Sequence, residues 1–244
     1  MIKAESALPM YKQIAAILKK EIRENRYGDG GSIGTHTDLA ERFGVSLITI
    51  RKAIKILAEE NLVETQQGKG TFAKSTVLQD DLHHLTGVSN IISQQNLQAQ
   101  VVVRTMGFIE TPQRFSDKSK RAMGETCLYI ERLHLIDEVV IGYAKLYLPL
   151  FYGRRLSRKD IEEKTIYQLY EDKLGVKLGK GVQYISADMA DDEMAETLDV
   201  KTGTPILRVE RESYAADGTL IELMELFYEY SHYRFRVELN LASR

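Results

Sequence analysis

The 244-residue chain has a single cysteine, Cys127. That excludes an intramolecular disulfide and any Cys-rich zinc site. Cys127 lies in an apolar run and reads as a small buried residue. No apolar run approaches the ~20 residues needed to cross a bilayer. The first residues, Met1-Ile2-Lys3-Ala4-Glu5-Ser6, lead into a Lys-rich amphipathic stretch without a signal-peptide hydrophobic region. A cytoplasmic address and no membrane partner are the expectation. No internal repeat stands out, and there is no Gly-x-Ser-x-Gly, P-loop, His-Glu-x-x-His or Gly-x-Gly-x-x-Gly motif. Five histidines, His36, His83, His84, His134 and His232, are scattered. The adjacent His83 and His84 point apart on a helix or a strand, so neither a metal site nor a cofactor is expected.

Net charge is also scarce, at −2, too little for bulk attraction to nucleic acid. It is unevenly shared. Residues 1–75 hold 12 Lys and Arg against 9 Asp and Glu, and the remainder 21 against 26. The asymmetry is mild and has the sign of a basic head on an acidic body. A hydrophobic fraction of 43% with 28% charged residues excludes wholesale disorder and collagen-like classes. The length suits one large or two modest domains.

The head reads as helices followed by a hairpin. Pro9 is pre-set for a first helical turn, and Tyr11, Ile14, Ala15, Leu18 and Ile22 recur at helical spacing. The pattern ends before Gly28-Asp29-Gly30-Gly31. Thr35-x-x-Asp38 resembles a capping box. Leu39, Ala40 and Phe43 form the inner face of a short helix that Gly44 ends. Ser46 then caps a third helix. Stepping 100° per residue puts Ile50, Ala53, Ile54 and Leu57 on one side. Ile48, Arg51, Lys52 and Lys55 fall on the other. Two helices joined over a short turn have helix-turn-helix geometry. The strands Leu62–Gln66 and Thr71–Ala73 flank Gln67-Gly68-Lys69-Gly70, a Gly-rich cationic tip that reads as a wing. A basic helix face alone is usually just solvated; on the second helix of this motif, beside a basic wing, it points to DNA.

These residues carry a resemblance. Leu8-Pro9-Met10-Tyr11-Lys12-Gln13-Ile14, Asp38-Leu39-Ala40-x-x-Phe43-Gly44-Val45-Ser46, Thr49-Ile50-Arg51-Lys52-Ala53 and Gln67-Gly68-Lys69-Gly70-Thr71-Phe72 resemble the winged helix-turn-helix of the GntR family of bacterial transcription regulators. The resemblance implies DNA contacts from Thr35, His36, Ser46, Leu47, Ile48, Thr49, Arg51, Lys52, Lys55, Gly68 and Lys69. Two places depart from the pattern. Ile33-Gly34-Thr35-His36-Thr37 replaces the usual Leu-Pro-Ser-Glu, and Leu47 stands where Arg usually follows the cap. The family's usual operator is therefore in doubt.

After Lys74–Leu82, polar enough for a linker, strand-like runs occupy Gln100–Phe108, Cys127–Ile136, Val139–Leu148, Val182–Met189, Ile206–Ala215 and Leu220–Tyr230. Helical patterns lie at Lys118–Arg121, Ile161–Leu174 and Asp191–Leu198. Tight turns at Asp137-Glu138 and Asp217-Gly218 favour hairpins. The class is α+β, a winged helix-turn-helix over 1–73 followed by an antiparallel-sheet domain over 83–244. Arg132 and His134 share one strand face, with Glu131, Leu133 and Leu135 on the other. Two potential cations suit an anion; a surface strand with salt bridges is the alternative.

The second domain resembles the UTRA effector-binding domain of the HutC subfamily, which is chorismate-lyase-like in fold. The resemblance rests on Leu85-Thr86-Gly87-Val88-Ser89, Tyr129-x-x-Arg132-x-His134, Tyr147-Leu148-Pro149, Thr165-Ile166-Tyr167, Gly203-Thr204-Pro205-Ile206-Leu207 and Glu222 through Tyr228-x-x-x-x-Tyr233-Arg234-Phe235. It implies effector contacts from Gly87, Val88, Ser89, Arg132, His134, Thr165, Tyr167, Glu222 and Tyr228. His134 replaces a second Arg, Asn90 an acidic residue and Ala144 a common Glu. The implied function is a repressor, not an enzyme. Its implied partners are double-stranded operator DNA, a small anionic metabolite such as a phosphorylated sugar, and a second copy in a homodimer. The apolar run Leu220–Tyr230 is a candidate to join the subunits. A half-charged His134 would tighten anion binding as pH falls from 8 to 6.5. The rival readings are a chorismate-lyase-like enzyme and a DNA-binding protein without an effector.

Overall fold

The computed structural model describes residues 8–60, 62–74, 77–84, 87–94, 99–136 and 138–240, without the side chains of Ser89, Ser93, Gln94 and Ala99. The expected turn residue Asp137 and the motif residues Leu85 and Thr86 lie outside that description. The chain forms two compact units that meet between Val77 and Leu78.

In the first unit, α1 (Met10–Arg23) buries Ile14, Ala15, Leu18 and Ile22 on its apolar stripe. Glu21 is buried among them and is held by Arg42 at 2.5 Å and by the Tyr27 hydroxyl. Burial pushes its carboxyl up, but these hydrogen bonds outweigh it and hold it below the usual range. After β1 (Ser32–Gly34), α2 (His36–Phe43) starts at Thr35. The Thr35 hydroxyl accepts from the Asp38 N–H while the Asp38 carboxylate accepts from the Thr35 N–H, so two otherwise orphaned donors are satisfied. Gly44, at φ 64, ends the helix in the left-handed region that glycine enters without steric cost. Ser46 caps α3 (Leu47–Glu59), which buries Ile50, Ala53, Ile54 and Leu57. The wing is β2 (Val63–Gln66) and β3 (Gly70–Ala73), in a sheet ordered β1-β3-β2.

The second unit opens with β4 (Leu78–Asp81), α4 (Val88–Gln94), β5 (Ala99–Glu110) and α5 (Asp117–Met123). The hairpin β6 (Thr126–Ile136) and β7 (Val139–Pro149) follows, then α6 (Leu150–Gly153), α7 (Arg158–Glu163) and α8 (Ile166–Leu169). Last come β8 (Leu178–Met189), α9 (Asp192–Leu198), β9 (Pro205–Ala215), β10 (Leu220–Glu229) and β11 (Tyr233–Arg236). Six strands form one antiparallel sheet, β5-β6-β7-β10-β9-β8. The main core covers one face and includes Ile130, Leu146, Val209, Met224 and Leu226 with Ile92, Ile161, Ile166 and Leu169 of the helices.

Three expectations need correction. The linker read over 74–82 is shorter, because Leu78–Asp81 pairs in parallel with β11. Its polar look comes from alternation: Leu78 and Asp80 are buried, Gln79 and Asp81 exposed. The helix read over Ile161–Leu174 is broken. Ser157 and Thr165 each start a capped helix, and a π-helical turn, Tyr170–Leu174, ends at Gly175. Finally, β10 is not free to join subunits. It is hydrogen-bonded on both sides, to β7 and β9, and almost wholly buried.

Candidate DNA-reading helix and candidate effector pocket

Ser46, Leu47, Ile48, Arg51, Lys52 and Lys55 are exposed on α3, and Thr49 is half-buried. Of the cations, Lys52 lies 5.8 Å over the Tyr11 ring and Lys55 stands 3.8 Å from Glu59. Arg51 makes no ion pair among the described residues, and neither does Lys69. Lys69 sits at the wing tip beside Gly68, whose φ is 76. Thr35 is exposed at the start of α2. His36 is less available, because its Nε2 is buried without a partner.

The effector residues come from four elements and the turn before α4. Alternation along β6 turns Arg132 and His134 inward. They lie in the core, 6% and 1% exposed, which removes the surface-strand alternative. Gly87, Val88, Arg132, His134, Thr165 and Tyr167 line one pocket, completed by Ile166, Arg211, Met224 and Leu226. The space left between them is about 10 Å³, room for about one water. Thr165 caps α8 while bonded to Gln168. A Cβ on Gly87 would lie 3.6 Å from the Thr165 methyl, an ordinary packing distance, so Gly87 sits directly against the Thr165 side chain. Glu222 and Tyr228 stand beside this space rather than on its wall. The Ser89 side chain lies outside the described residues.

The electrostatics are unbalanced. Arg132 makes no hydrogen bond or ion pair among the described residues, and its Nε is buried and orphaned. Desolvation pushes its guanidinium pKa down, with the Glu222 charge opposing. Both His134 nitrogens are also orphaned. Burial first, and then the Arg132 charge, hold its imidazole well below the ordinary histidine range. The expectation of a half-charged His134 is corrected for the empty site, where these two effects keep it neutral at pH 7. Glu222 Oε2 accepts from the Ser213 hydroxyl at 2.8 Å, and Oε1 has no partner. Burial pushes this carboxyl up, against the pull of Ser213, Arg211 and Arg132.

Arg211 is the residue that sequence reasoning missed. Its Nε donates to Gln183 at 3.0 Å and an Nη to the Tyr167 hydroxyl at 3.3 Å. It is the pocket's second buried cation, in the place the sequence reading assigned to His134. Four of the five residues Arg208–Glu212 are charged, so charge gave no hint of which side faced in. Only parity with buried Val209 and Ser213 marked it.

One glycine makes room for the Tyr228 ring beside this pocket. Gly142 is paired with His134 on one side and Tyr228 on the other. A Cβ there would come within 2.7 Å of Tyr228 Cδ1. The ring therefore lies over bare backbone, stacked on Tyr233 at 3.7 Å.

Models of known families match both units of the chain. A model of the UTRA domain matches residues 94–234. A model described as bacterial regulatory proteins, gntR family, matches residues 10–73. The HTH-type transcriptional regulator Rv0792c of Mycobacterium tuberculosis is 27% identical, covering 97% of this chain and 88% of that protein. The mannosyl-D-glycerate transport/metabolism system repressor MngR of Escherichia coli is 23% identical over 93% and 94%. The crystal structure of PhnF from Mycobacterium smegmatis superposes with a TM-score of 0.61 at 20% identity, over 94% of this chain and 100% of that one. At that identity the superposition speaks for the fold alone. No described helix is long and apolar enough to cross a membrane.

Proposed function

The chain belongs to the gntR family of bacterial regulatory proteins, as a transcription regulator with a UTRA domain, and we propose that it represses transcription as a homodimer on a palindromic operator, under the control of a small anionic metabolite. In this reading α3 of each head enters a major groove and the wing follows the flanking backbone. Thr35, Ser46, Leu47, Ile48, Thr49, Arg51, Lys52, Lys55, Gly68 and Lys69 make the contacts, with His36 in a lesser role. Phosphate contacts supply most of the affinity and the base edges the sequence choice.

The single observation that carries the effector reading is Arg132, a buried arginine whose Nε is orphaned and which has no partner among the described residues. A buried charge is tolerated when something pairs with it, and a ligand carboxylate or phosphate is the missing acceptor. Arg211 adds a second charge to the same wall. Thr165, Tyr167, Glu222 and His134 offer hydroxyl, carboxylate and imidazole groups to a polyhydroxylated body. The relative named for mannosyl-D-glycerate supports a sugar-derived ligand. The pocket is closed as it stands, so binding moves the side chains that fill it, and this movement is what couples ligand to DNA.

The test is calorimetry of the full chain with a panel of phosphorylated sugars and sugar acids, alongside operator titrations. Arg132→Ala should abolish ligand binding and leave operator affinity unchanged. Best binding by a neutral compound, held equally well by Arg132→Ala, would overturn the anion reading.

A further inference from the structure

The first turn of α3 has a chemistry that its cations do not explain. Leu47 and Ile48 are 43% and 66% exposed, two adjacent large apolar side chains at the tip of the helix assigned to the groove. Ile48 lies opposite buried Ile50 and Ile54, on the same side as Lys52 and Lys55. Exposed apolar residues scattered singly need no explanation, but these two stand side by side where a reading helix meets base edges. Thr49, the third residue of the turn, keeps its hydroxyl against Ser46, Oγ1 to Oγ at 3.0 Å, and so offers a methyl group too. The turn therefore presents mostly methyl groups, with one O–H of the Ser46–Thr49 pair left over. A guanine edge in the major groove shows only acceptors, N7 and O6, and a cytosine edge an amino donor. Neither gains from aliphatic carbon. Thymine alone carries an apolar group there, the C5 methyl.

We infer that Leu47 and Ile48 read thymine methyl groups, so that each half-site of the operator carries thymines under the start of α3. The inference rests on the proposed docking of α3 in the major groove. It assigns a base type to residues that would otherwise only fill space. Lys52 and Lys55 on the same side steer this apolar tip onto the duplex without choosing a base.

The experiment uses the full chain and a random-sequence duplex pool. Selected duplexes should show one or two fixed thymines in each half-site. Replacing each thymine by deoxyuridine removes only the methyl group, and binding is then followed by fluorescence anisotropy at fixed salt. At those positions deoxyuridine should weaken binding about fourfold per methyl, the scale of one CH₂ group withdrawn from water. Ile48→Ala should bind the thymine and deoxyuridine duplexes alike at one position, and Leu47→Ala at the other. Both side chains are exposed, so the variants should keep the wild-type melting temperature, and a variant that does not is replaced by Ile48→Thr or Leu47→Ser. Full affinity for a duplex wholly substituted with deoxyuridine overturns the inference and leaves the regulator intact. So does an unchanged thymine requirement in the double variant. A pool from which no sequence is enriched overturns the docking itself and the inference with it.

Discussion

Replacing Arg132 by Met should make the ligand-free protein more stable while destroying its response. Arg132 is buried on β6 with 6% of its surface exposed, its Nε is orphaned, and no carboxylate lies within ion-pair distance among the described residues. A buried donor without a partner costs roughly 1–3 kcal/mol. Met has nearly the length of the Arg stem and fits irregular space, so little cavity is left. One term opposes: Glu222 loses a nearby positive charge. Arg211 remains, and Glu222, already pushed up by burial, can take a proton. The net expectation is a gain of about 1–2 kcal/mol, because relief of the orphaned donor exceeds the altered balance at Glu222. For a unit of this size that raises Tm by about 2–8 °C. Differential scanning calorimetry at pH 7.5 on wild type, Arg132→Met and Arg132→Lys measures it. Arg132→Lys keeps the buried charge and should show no gain. A fall of several degrees in Arg132→Met would refute the reasoning, since it would mean that Arg132 is held by the fold rather than kept for a ligand.

Three further outcomes follow from particular atoms. His134 is neutral in the folded state with a depressed pKa, whereas the unfolded chain protonates it below about pH 6.5; wild type should therefore lose stability relative to His134→Leu as pH falls from about 6.5 to about 5, and a difference constant with pH would contradict the neutral assignment. Gly142→Ala puts a methyl 2.7 Å from the Tyr228 ring; overpacking of this kind costs about 1–3 kcal/mol, read as a lower denaturation midpoint, and an unchanged midpoint would mean that the ring is free to move. Arg51→Ala should weaken operator binding by about 1–3 kcal/mol and relax one base position, whereas Lys69→Ala should weaken all sequences alike and lower the salt slope by about one; mobility shifts at several salt concentrations distinguish the two, and no change in either would contradict the winged-helix contacts.

Much of this fold is legible because its signals are local. β6 alternates clearly, and turn chemistry pairs it with the apolar run of β7. In the head, Thr35, Asp38, Gly44 and Ser46 punctuate the helices at the positions where backbone groups need partners. Ser157-x-x-Asp160 and Thr165-x-x-Gln168 carry the same capping signature, and they would have split the helix read over 161–174. What is not legible depends on distant partners. Asp80 looks like linker, and it is buried because the Tyr233 hydroxyl donates to it at 2.8 Å from across the chain. β10 is apolar enough for an interface, but an apolar strand is equally one sheathed by two neighbours, and only the topology decides. Alternation placed Arg132 and His134 on one face without revealing its depth, and depth is what separates a cation from a neutral imidazole.

The candidate pocket breaks the rules that the rest of the sheet obeys. Elsewhere in this unit several charged side chains are paired, as in Arg114 with Glu225 at 2.7 Å or Lys173 with Asp160 at 2.5 Å. Beneath the helices the sheet instead buries an unpaired guanidinium, an imidazole with two idle nitrogens and a carboxylate with one idle oxygen. Each is destabilising alone, and none is needed to close the core. Such a cluster persists when a bound partner satisfies it, and a partner that does so stabilises the occupied state in proportion to what the empty state lacked. The strain of the empty pocket is therefore the free energy available to a metabolite for shifting the regulator between states. On the proposed function, this is why the domain keeps groups which a purely structural sheet would have replaced by Leu and Met.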